Sequence, residues 1–433
     1  MKLNKVNMIN KFKFVYIFGI LSSFWLSAQI TESTINSIEP KVIEWRHYIH
    51  QNPELSNREF KTAKFIATHL ESLDIEVETG VAHTGVVGIL KGNKPGKVVA
   101  LRADMDGLPV NERNDLPYKS KATAVFNGQK TGVMHACGHD THVAILMGVA
   151  EILSKNRNFP GTVKFIFQPA EEGPPSGEEG GALLMVKEGV LKNPDVDAIF
   201  GLHINSETPV GHITYKTKGI MAAADSYKIV IGGKQSHGST PWKSVDPIMI
   251  SSQIINGLQT LISRNSELTK EGAVVSVGAI HAGIRSNIIP ESAEMIGTIR
   301  TLDTDMQEVI HQRMYEMIPQ IAEAYGGTAT VTVKKTAALT YNDETLTKQM
   351  VPSLERAVGA SNVHEMQAIT GAEDFSYFQQ QVPGLYFFVG GMDPAMNPSE
   401  APSHHTPDFV VQDEGMIHGV KALTQLAIDY LNQ

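Results

Sequence analysis

The sequence predicts an α/β fold built on a mixed, mostly parallel sheet, with a ferredoxin-like α+β domain inserted into it. Short β-rich segments alternate with helical segments along most of the chain, which is typical of a parallel sheet covered by helices on both faces. One central stretch instead has the order βαββαβ. The chain has 433 residues, of which 42% are hydrophobic, so it is long enough for two or three domains with their own cores.

The main domain is predicted from segments 30–222 and 337–433. It begins with a helical stretch between Ile38 and Leu73 that is interrupted by a polar turn. Because sites in parallel sheets form beyond the carboxyl ends of the strands, the residues that follow these strands are of interest. The predicted strands are Val98–Leu101, Val163–Phe167, Asp197–Leu202 and Leu385–Val389, with a helix over Thr141–Leu153.

The inserted domain is predicted over residues 223–336. Its βαββαβ order is the ferredoxin-like signature, and α/β segments continue on both sides of it. The predicted elements are strand Ser226–Ile231, helix Val245–Ile262, strands Ala273–Ile280 and Ser292–Thr301, helix Asp305–Tyr325 and strand Thr328–Val333.

Residues 1–28 have the organisation of a secretory signal peptide. Four lysines without acidic residues precede an apolar run over Phe14–Leu26, and the small residues Ser27 and Ala28 follow it. The run contains Gly19 and two serines and is shorter than the roughly 20 residues that a membrane-spanning helix needs. We therefore expect a cleaved, exported protein, periplasmic or secreted, without stable membrane insertion.

The composition excludes several classes of protein. Lys and Arg number 37 against 46 Asp and Glu, which gives a formal net charge of −9. An acidic chain without a basic patch argues against broad nucleic-acid binding. The hydrophobic content excludes a disordered chain and a coiled coil. Cys137 is the only cysteine, so no intramolecular disulfide can form.

Side chains of the types that bind metals occur at four places in the sequence. Cys and His suit zinc or another borderline transition metal, and the two adjacent glutamates allow one to bind metal while the other takes a proton from water. Any one of these sites alone is more often structural, but four of them at strand ends or loops favour a metal site assembled from distant segments. The four places are Cys137 and His139 within His135–His142, Glu171-Glu172 after an apolar strand, His203 at a strand end, and His404-His405.

Four motifs together closely resemble the metal-dependent aminoacylase/carboxypeptidase superfamily. The branch that they resemble contains hippurate hydrolase, indole-acetyl-amino-acid hydrolases and N-acetyldiaminopimelate deacetylase. The resemblance covers nearly all of the chain after the leader. The motifs are Arg102-Ala103-Asp104-Met105-Asp106-Gly107-Leu108-Pro109, His135-Ala136-Cys137-Gly138-His139-Asp140, Gln168-Pro169-Ala170-Glu171-Glu172 and Gly371-Ala372-Glu373-Asp374-Phe375.

The resemblance implies a site with two divalent metal ions, whose identity stays open among Zn, Mn, Co and Ni. Cys137 matches the bridging position, which is Asp in the wider superfamily, and Arg102 stands where that superfamily has a His ligand. Asp104 then orients a ligand, and His404 is a rival to His405 because the two are adjacent. The implied ligands are His139 and His203 for one metal and Glu172 and His405 for the other, and Glu171 matches the general base.

The inserted domain matches the lid of this family, which implies a homodimer. The motif around His237 matches the lid segment whose His reaches a neighbouring active site and holds the oxyanion. Asn287 and Arg300 match lid positions that hold a substrate carboxylate. Read without the resemblance, each of these residues is an ordinary polar residue of a loop or a strand end.

The expected activity is metal-assisted hydrolysis of the amide bond of an N-acyl amino acid, hippurate-like or N-acetyl-amino-acid-like. The alternative with the same site is a metallo-carboxypeptidase or dipeptidase acting on short peptides. A non-catalytic metal or amino-acid binding protein is a more distant alternative, because both glutamates and every matched ligand are present.

Overall fold

The computed structural model describes residues 30–433, and the predicted signal peptide lies outside the described residues. No helix of this range is both long and apolar enough to cross a membrane. The helices are α1 Glu32–Asn36, α2 Glu39–Gln51, α3 Phe60–Ser72, α4 His139–Lys155, α5 Gly181–Lys187, α6 Pro247–Thr260, α7 Thr304–Ala324, α8 Glu344–Val358, α9 Ser376–Gln379 and α10 Gly415–Leu431.

The strands form one large sheet, one four-stranded sheet and three short two-stranded ladders among the described residues. They are β1 Glu76–Val81, β2 Gly85–Lys91, β3 Lys94–Asp104, β4 Thr123–Phe126, β5 Gln129–Gly132, β6 Pro160–Gln168, β7 Ala198–Pro209, β8 Ile213–Tyr215, β9 Lys218–Met221, β10 Ala223–Gly232, β11 Ser236–His237, β12 Ala273–Ala282, β13 Ile288–Ile289, β14 Ser292–Thr301, β15 Thr328–Ala337, β16 Thr340–Asn342, β17 Val363–Glu365 and β18 Gly384–Met392.

The large sheet has the strand order β1-β2-β6-β3-β7-β18-β8-β17. The four central strands β6, β3, β7 and β18 are parallel to one another. The pairs β1–β2, β2–β6 and β18–β8 are antiparallel, and the edge strand β17 is parallel to β8. The sheet is therefore mixed and mostly parallel, and the fold prediction is confirmed.

Strand β3 shows why this sheet is covered on both faces. Val99 and Leu101 point into the core beneath α2, α4 and α10, while Val98 and Ala100 point into a second core beneath α5 and α9. Successive side chains of a strand face opposite sides, so a strand that is apolar at every position must be buried on both.

The four-stranded sheet has the antiparallel order β12-β14-β10-β15. Helices α6 and α7 cover one face, where Tyr227, Ile229 and Ile231 of β10 are buried, while Lys228 and Val230 face the other side and are exposed. This order and the alternating burial are those of a ferredoxin-like unit, covered on one face only.

Candidate active site

The predicted site residues meet at the carboxyl edge of the central parallel strands. At the end of β3, Asp104 lies beside Gln168 of β6, and in β7 His203 lies beside Phe388 of β18. Because the carboxyl ends of parallel strands share one edge, the register alone brings these side chains together.

The loop that leads into α4 adds Cys137 and His139 to this edge. Gly138 lies between them with φ 96°, a left-handed conformation that glycine adopts without strain. A Cβ at this position would also lie 2.4 Å from Cγ2 of Ile204. Only glycine therefore fits at the turn that places the thiol and the imidazole on either side of it.

Two histidines each direct one ring nitrogen towards the site. His139 Nδ1 donates to the Asp106 carbonyl oxygen at 2.9 Å, and His203 Nδ1 donates to the Ile204 carbonyl oxygen at 2.6 Å. Nε2 of each ring then faces the site, and Nε2 of His139 is buried without a hydrogen-bond partner in the part of the chain that the structure describes. This arrangement suits a metal ligand, whose second nitrogen donates to a carbonyl or carboxylate.

Cys137 lies at the centre of the candidate ligands. Its Sγ is 3.3 Å from Nε2 of His203 and 3.3 Å from Nε2 of His405. Nε2 of His405 also lies 3.0 Å from Oε1 of Glu172. Burial and the charges of Glu172 and Glu171 raise the pKa of the Cys137 thiol well above its usual range. A divalent cation would reverse that effect, because a coordinated thiol is deprotonated. The S, N and O donors present therefore fit a borderline metal.

The structure separates the roles of the two adjacent histidines. His404 Nε2 accepts a hydrogen bond from the backbone N–H of Ser206 at 3.3 Å, so its Nδ1 carries the proton and donates to the Cys137 carbonyl at 3.2 Å. Both nitrogens of His404 are thus engaged, whereas Nε2 of His405 faces Cys137 and Glu172. The geometry favours His405 as the ligand.

We expect substitution of these two histidines to have different effects on metal content. His405→Ala should lower the bound metal per chain, because it removes a donor to the ion held by Cys137 and Glu172. His404→Gln should leave the metal content unchanged, because a Gln oxygen can still accept from Ser206. Elemental analysis after dialysis measures both, and equal losses in the two variants would contradict the assignment.

The ligand pairs implied by the resemblance are brought together only in part. Donor atoms of Cys137, Glu172 and His405 all lie within 4.8 Å of one another. Among the described residues, His139 and His203 do not belong to one such group. Nε2 of His139 lies 4.0 Å from Oε1 of Glu172. His203 instead forms a group of donor atoms with Cys137 and His404.

Glu171 points into the same space as the ligands. Its Oε2 is 3.8 Å from Nε2 of His139, and its carboxylate oxygens lie within 4.8 Å of those of Glu373 and Asp374. Burial and the neighbouring carboxylates, first Glu373 and then Glu172, raise the pKa of Glu171 well above its usual range. A carboxylate with a raised pKa is suited to proton transfer near neutral pH.

Asp104 is linked to the ligands through a histidine that the sequence analysis did not single out. His142 Nδ1 donates to Oδ1 of Asp104 at 2.5 Å, and its Nε2 accepts from the backbone N–H of Ile204 at 2.8 Å. The Ile204 carbonyl is the group that orients His203. Asp104 therefore acts on the ligand His203 by way of His142 and Ile204.

Arg102 occupies the space behind the site and is fully buried. It donates to Gln168 Oε1 at 2.8 Å, to Asp104 Oδ2 at 2.7 Å, to Glu373 Oε1 at 2.9 Å and to Asp374 Oδ1 at 3.1 Å. Burial opposes the charge of Asp104, but the Arg102 guanidinium and then His139 hold the pKa of that carboxyl well below its usual range. The Arg102 guanidinium therefore forms ion pairs with all three of these carboxylates, those of Asp104, Glu373 and Asp374.

Stability should depend on pH through His50, which ties α2 to the start of α4. His50 Nδ1 lies 2.9 Å from Oδ2 of Asp140 and Nε2 lies 3.3 Å from Oε1 of Glu112. Burial opposes protonation, but the hydrogen bond and charge of Asp140 raise the pKa of His50 to about 9. Protonation of His50 therefore stabilises the folded state. This contribution is complete below the pKa of His50 in the unfolded chain, near 6.5, and is lost as the pH rises towards 9.

We therefore expect the free energy of unfolding of the wild type to exceed that of His50→Gln by a few kcal/mol at pH 6 and by much less at pH 9.5. Urea unfolding of both proteins at equal metal content across this range measures the difference. A difference in unfolding free energy between the two proteins that does not change with pH would contradict the role of His50.

A cavity of about 520 Å³ opens onto these residues and reaches the four-stranded sheet. Its walls include Cys137, Glu171, Glu172, His203 and His405. It is also lined by Arg300 near the end of β14 and by the apolar residues Met221, Ile369 and Phe388. Arg300 is half-buried and donates to the Thr298 hydroxyl and the Ile299 carbonyl, and no Asp or Glu of residues 30–433 forms an ion pair with it.

His237 and Asn287 do not line this cavity. His237 belongs to the short β11–β13 ladder and Asn287 directly precedes it, where the Gly238 N–H donates to the Asn287 carbonyl at 2.8 Å, and both side chains are exposed. Within one chain, the structure thus brings Arg300 to the cavity that holds Cys137, Glu171, Glu172, His203 and His405, but not these two residues.

Known proteins resemble this chain over nearly all of its described length. The profile described as peptidase family M20/M25/M40 matches residues 100–429. A thermostable carboxypeptidase of Saccharolobus solfataricus is 42% identical over 405 residues, which are 93% of this chain and 98% of the relative. An N-acetylcysteine deacetylase of Bacillus subtilis is 37% identical, over 90% of this chain and 96% of the relative.

A solved structure has a similar fold. It is a Bacillus subtilis protein described as a dinuclear metal binding peptidase, with a TM-score of 0.77 and 33% identity. The match covers 92% of this chain and 99% of that one. Since the match spans nearly the full length of both chains, it includes the large sheet and the four-stranded sheet alike.

Proposed function

The chain belongs to peptidase family M20/M25/M40 and is a metal-dependent hydrolase of amide bonds, and from this premise we propose that it hydrolyses N-acyl amino acids. The observation that carries the proposal is the shared cavity. The cavity is lined by the donor group of Cys137, Glu172 and His405 and by the carboxylate of Glu171. It is also lined by Arg300, whose guanidinium has no acidic partner among residues 30–433.

We infer two divalent ions, zinc, manganese, cobalt or nickel, held by Cys137, His139, Glu172, His203 and His405. When bound, the ions supply Lewis-acid activation of the water and of the amide carbonyl. Glu171 takes the proton of the attacking water on a carboxylate oxygen and later delivers it to the leaving nitrogen. Arg300 holds the carboxylate of the substrate, for which its planar guanidinium is suited.

The test is amine release from N-acetyl- and N-benzoyl-amino acids, beside dipeptides with the same C-terminal residue. We expect cleavage of the acyl-amino acids that is lost on chelation and restored by zinc or manganese. Because the solfataricus relative is named a carboxypeptidase, faster cleavage of the dipeptides would instead support an exopeptidase. Ligand binding without any turnover would support the non-catalytic alternative.

We propose that the enzyme is a homodimer in which His237 completes the active site of the partner. His237 and Asn287 are exposed and lie outside the cavity of their own chain. Apolar side chains on the same domain are also exposed, namely Trp242 at 76%, Met249 at 52% and Ile284 at 100%. Contact with a second chain would bury them and bring His237 to a site that lacks it.

Mixing two inactive variants tests this arrangement. His237→Ala and Glu171→Gln should each have little activity as homodimers. A hybrid dimer contains one site with an intact Glu171 and the His237 of the other subunit, so activity should return after the variants are mixed and allowed to exchange subunits. Mixtures that stay as inactive as the separate variants, although hybrids are detected by mass spectrometry, would contradict the proposal.

We also propose that residues 1–28 direct export and are removed. The lysine-rich start and the apolar run support this. Fractionation of expressing cells and sequencing of the mature N-terminus test it, with an N-terminus near residue 29 in the exported fraction as the expected result.

A further inference from the structure

The turn that carries the two glutamates has a backbone conformation unusual for its residues. It follows β6 directly, and Ala170 has φ 54°, in the left-handed region. An alanine disfavours this region, because its Cβ approaches a neighbouring carbonyl oxygen. Strained residues of this kind persist only where the surroundings hold them in place. Something must therefore hold the turn over residues 170–172.

Three successive backbone N–H groups of this turn donate to two buried carboxyl groups. The Ala170 N–H donates to Oε1 of Glu59 at 2.9 Å. The Glu171 N–H donates to Oδ1 of Asp106 at 3.1 Å, and the Glu172 N–H donates to Oδ2 of Asp106 at 3.2 Å. Glu59 is 0% exposed and Asp106 1%. The two side chains thus take up every N–H of the turn.

The two carboxyl groups are fixed in turn by neighbouring side chains. Ser56 Oγ donates to Oδ2 of Asp106 at 2.7 Å, and Thr84 Oγ1 donates to Oε2 of Glu59 at 2.6 Å. Nδ1 of His139 also lies 3.3 Å from Oδ1 of Asp106. Asp106 therefore contacts the backbone of Glu171, the backbone of Glu172 and the ring of His139, and so touches both the proposed base and two proposed metal ligands.

We propose that Glu59 and Asp106 are positioning residues that hold the turn over residues 170–172 in its left-handed form. The turn directs neighbouring glutamates to two different tasks, Glu171 to proton transfer and Glu172 to metal binding. This inference rests on the proposed function. Without the two carboxyl groups, Ala170 relaxes to a right-handed or extended conformation, and the Glu171 carboxylate leaves the place where it takes a proton.

The hydrogen-bond pattern predicts different outcomes for conservative and non-conservative variants. Glu59→Gln keeps an oxygen for the Ala170 N–H and can donate to the Thr84 hydroxyl, so the turn should be retained. Burial and the charge of Asp106 also raise the pKa of Glu59 to about 8, so Gln resembles its form at neutral pH. Glu59→Met fills the space but cannot accept the hydrogen bond.

Asp106→Asn should not be tolerated in this way. Both carboxylate oxygens of Asp106 accept from a backbone N–H of the turn. An amide in either orientation places its NH₂ group against one of these donors. We therefore expect Asp106→Asn to disturb the turn over residues 170–172, whereas Glu59→Gln should retain it.

The experiment compares kcat, KM, metal content and backbone hydrogen exchange for wild type, Glu59→Gln, Glu59→Met and Asp106→Asn. We expect Glu59→Met and Asp106→Asn to lower kcat roughly 10- to 100-fold with little change in KM. Exchange at residues 170–172 should become faster in the same two variants. Glu59→Gln should stay close to wild type. The double variant Glu59→Met with Ala170→Gly should recover part of the lost kcat, because glycine adopts the left-handed conformation without strain.

Glu54→Met is the matched control. Glu54 accepts hydrogen bonds from the backbone of Lys61 and Thr62 at the start of α3, not from the turn, so its loss should leave kcat and exchange at residues 170–172 unchanged. The proposal is overturned if Glu59→Met folds with wild-type kcat and exchange, or if glycine at position 170 restores nothing. A wild type without chelator-sensitive hydrolysis would overturn the proposed function instead, and hydrogen exchange would still test the positioning.

Discussion

Glu171→Gln should lower kcat on the order of 10²- to 10⁴-fold while the protein keeps its full metal content. Gln has nearly the same shape as Glu but cannot take a proton from water at neutral pH. The carboxylate lies 3.8 Å from His139 Nε2 and shares a group of donor atoms within 4.8 Å of one another with His139 and Glu172, but it does not belong to the group of Cys137, Glu172 and His405. Its removal therefore affects proton transfer more than metal binding.

Single-turnover and steady-state rates on an N-acyl amino acid, with elemental analysis of the same samples, measure this effect. Glu178→Gln is a suitable control, because Glu178 belongs to the same loop but pairs with Arg58 outside the cavity. Glu172→Gln should instead reduce the bound metal. Substantial residual activity in Glu171→Gln at full occupancy would show that another group is the base.

Arg102→Met should destabilise the fold by about 3–5 kcal/mol, the largest stability effect that we expect from one substitution. The guanidinium is 0% exposed and compensates Asp104, Glu373 and Asp374. Met fills a similar volume but removes the guanidinium that compensates these three carboxylates. Arg102→Lys should recover only part of the loss, because one ammonium cannot reproduce four hydrogen bonds with fixed directions.

Urea unfolding of the metal-loaded proteins measures this loss. Arg58→Met provides the contrast, because Arg58 also forms an ion pair but its side chain is 51% exposed. We expect it to cost less than about 1 kcal/mol, as exposed ion pairs usually do. Similar losses in Arg102→Met and Arg58→Met would show that the buried network contributes little.

The sequence by itself determined the fold class and the family. Alternating strands and helices predicted the mostly parallel sheet, and strand β14 occupies the predicted residues Ser292–Thr301. These features are local, because the periodicity of apolar residues follows from the geometry of a single strand or helix. The predicted start of α4 at Thr141 was two residues late, since the helix begins at His139 after a glycine rather than after a capping side chain.

Only the tertiary structure decided which polar side chains act together. It placed Nε2 of His404 against the N–H of Ser206, almost 200 positions away in the chain, and Nε2 of His405 against Cys137 and Glu172. It also revealed Glu59 and Asp106 beneath the turn over residues 170–172 and His142 behind Asp104, none of which the sequence analysis assigned a role. Such partners lie on different elements, and no periodicity relates them. Their pairing depends on strand register and on the need of each buried polar group for a partner, which exist only once the chain has folded.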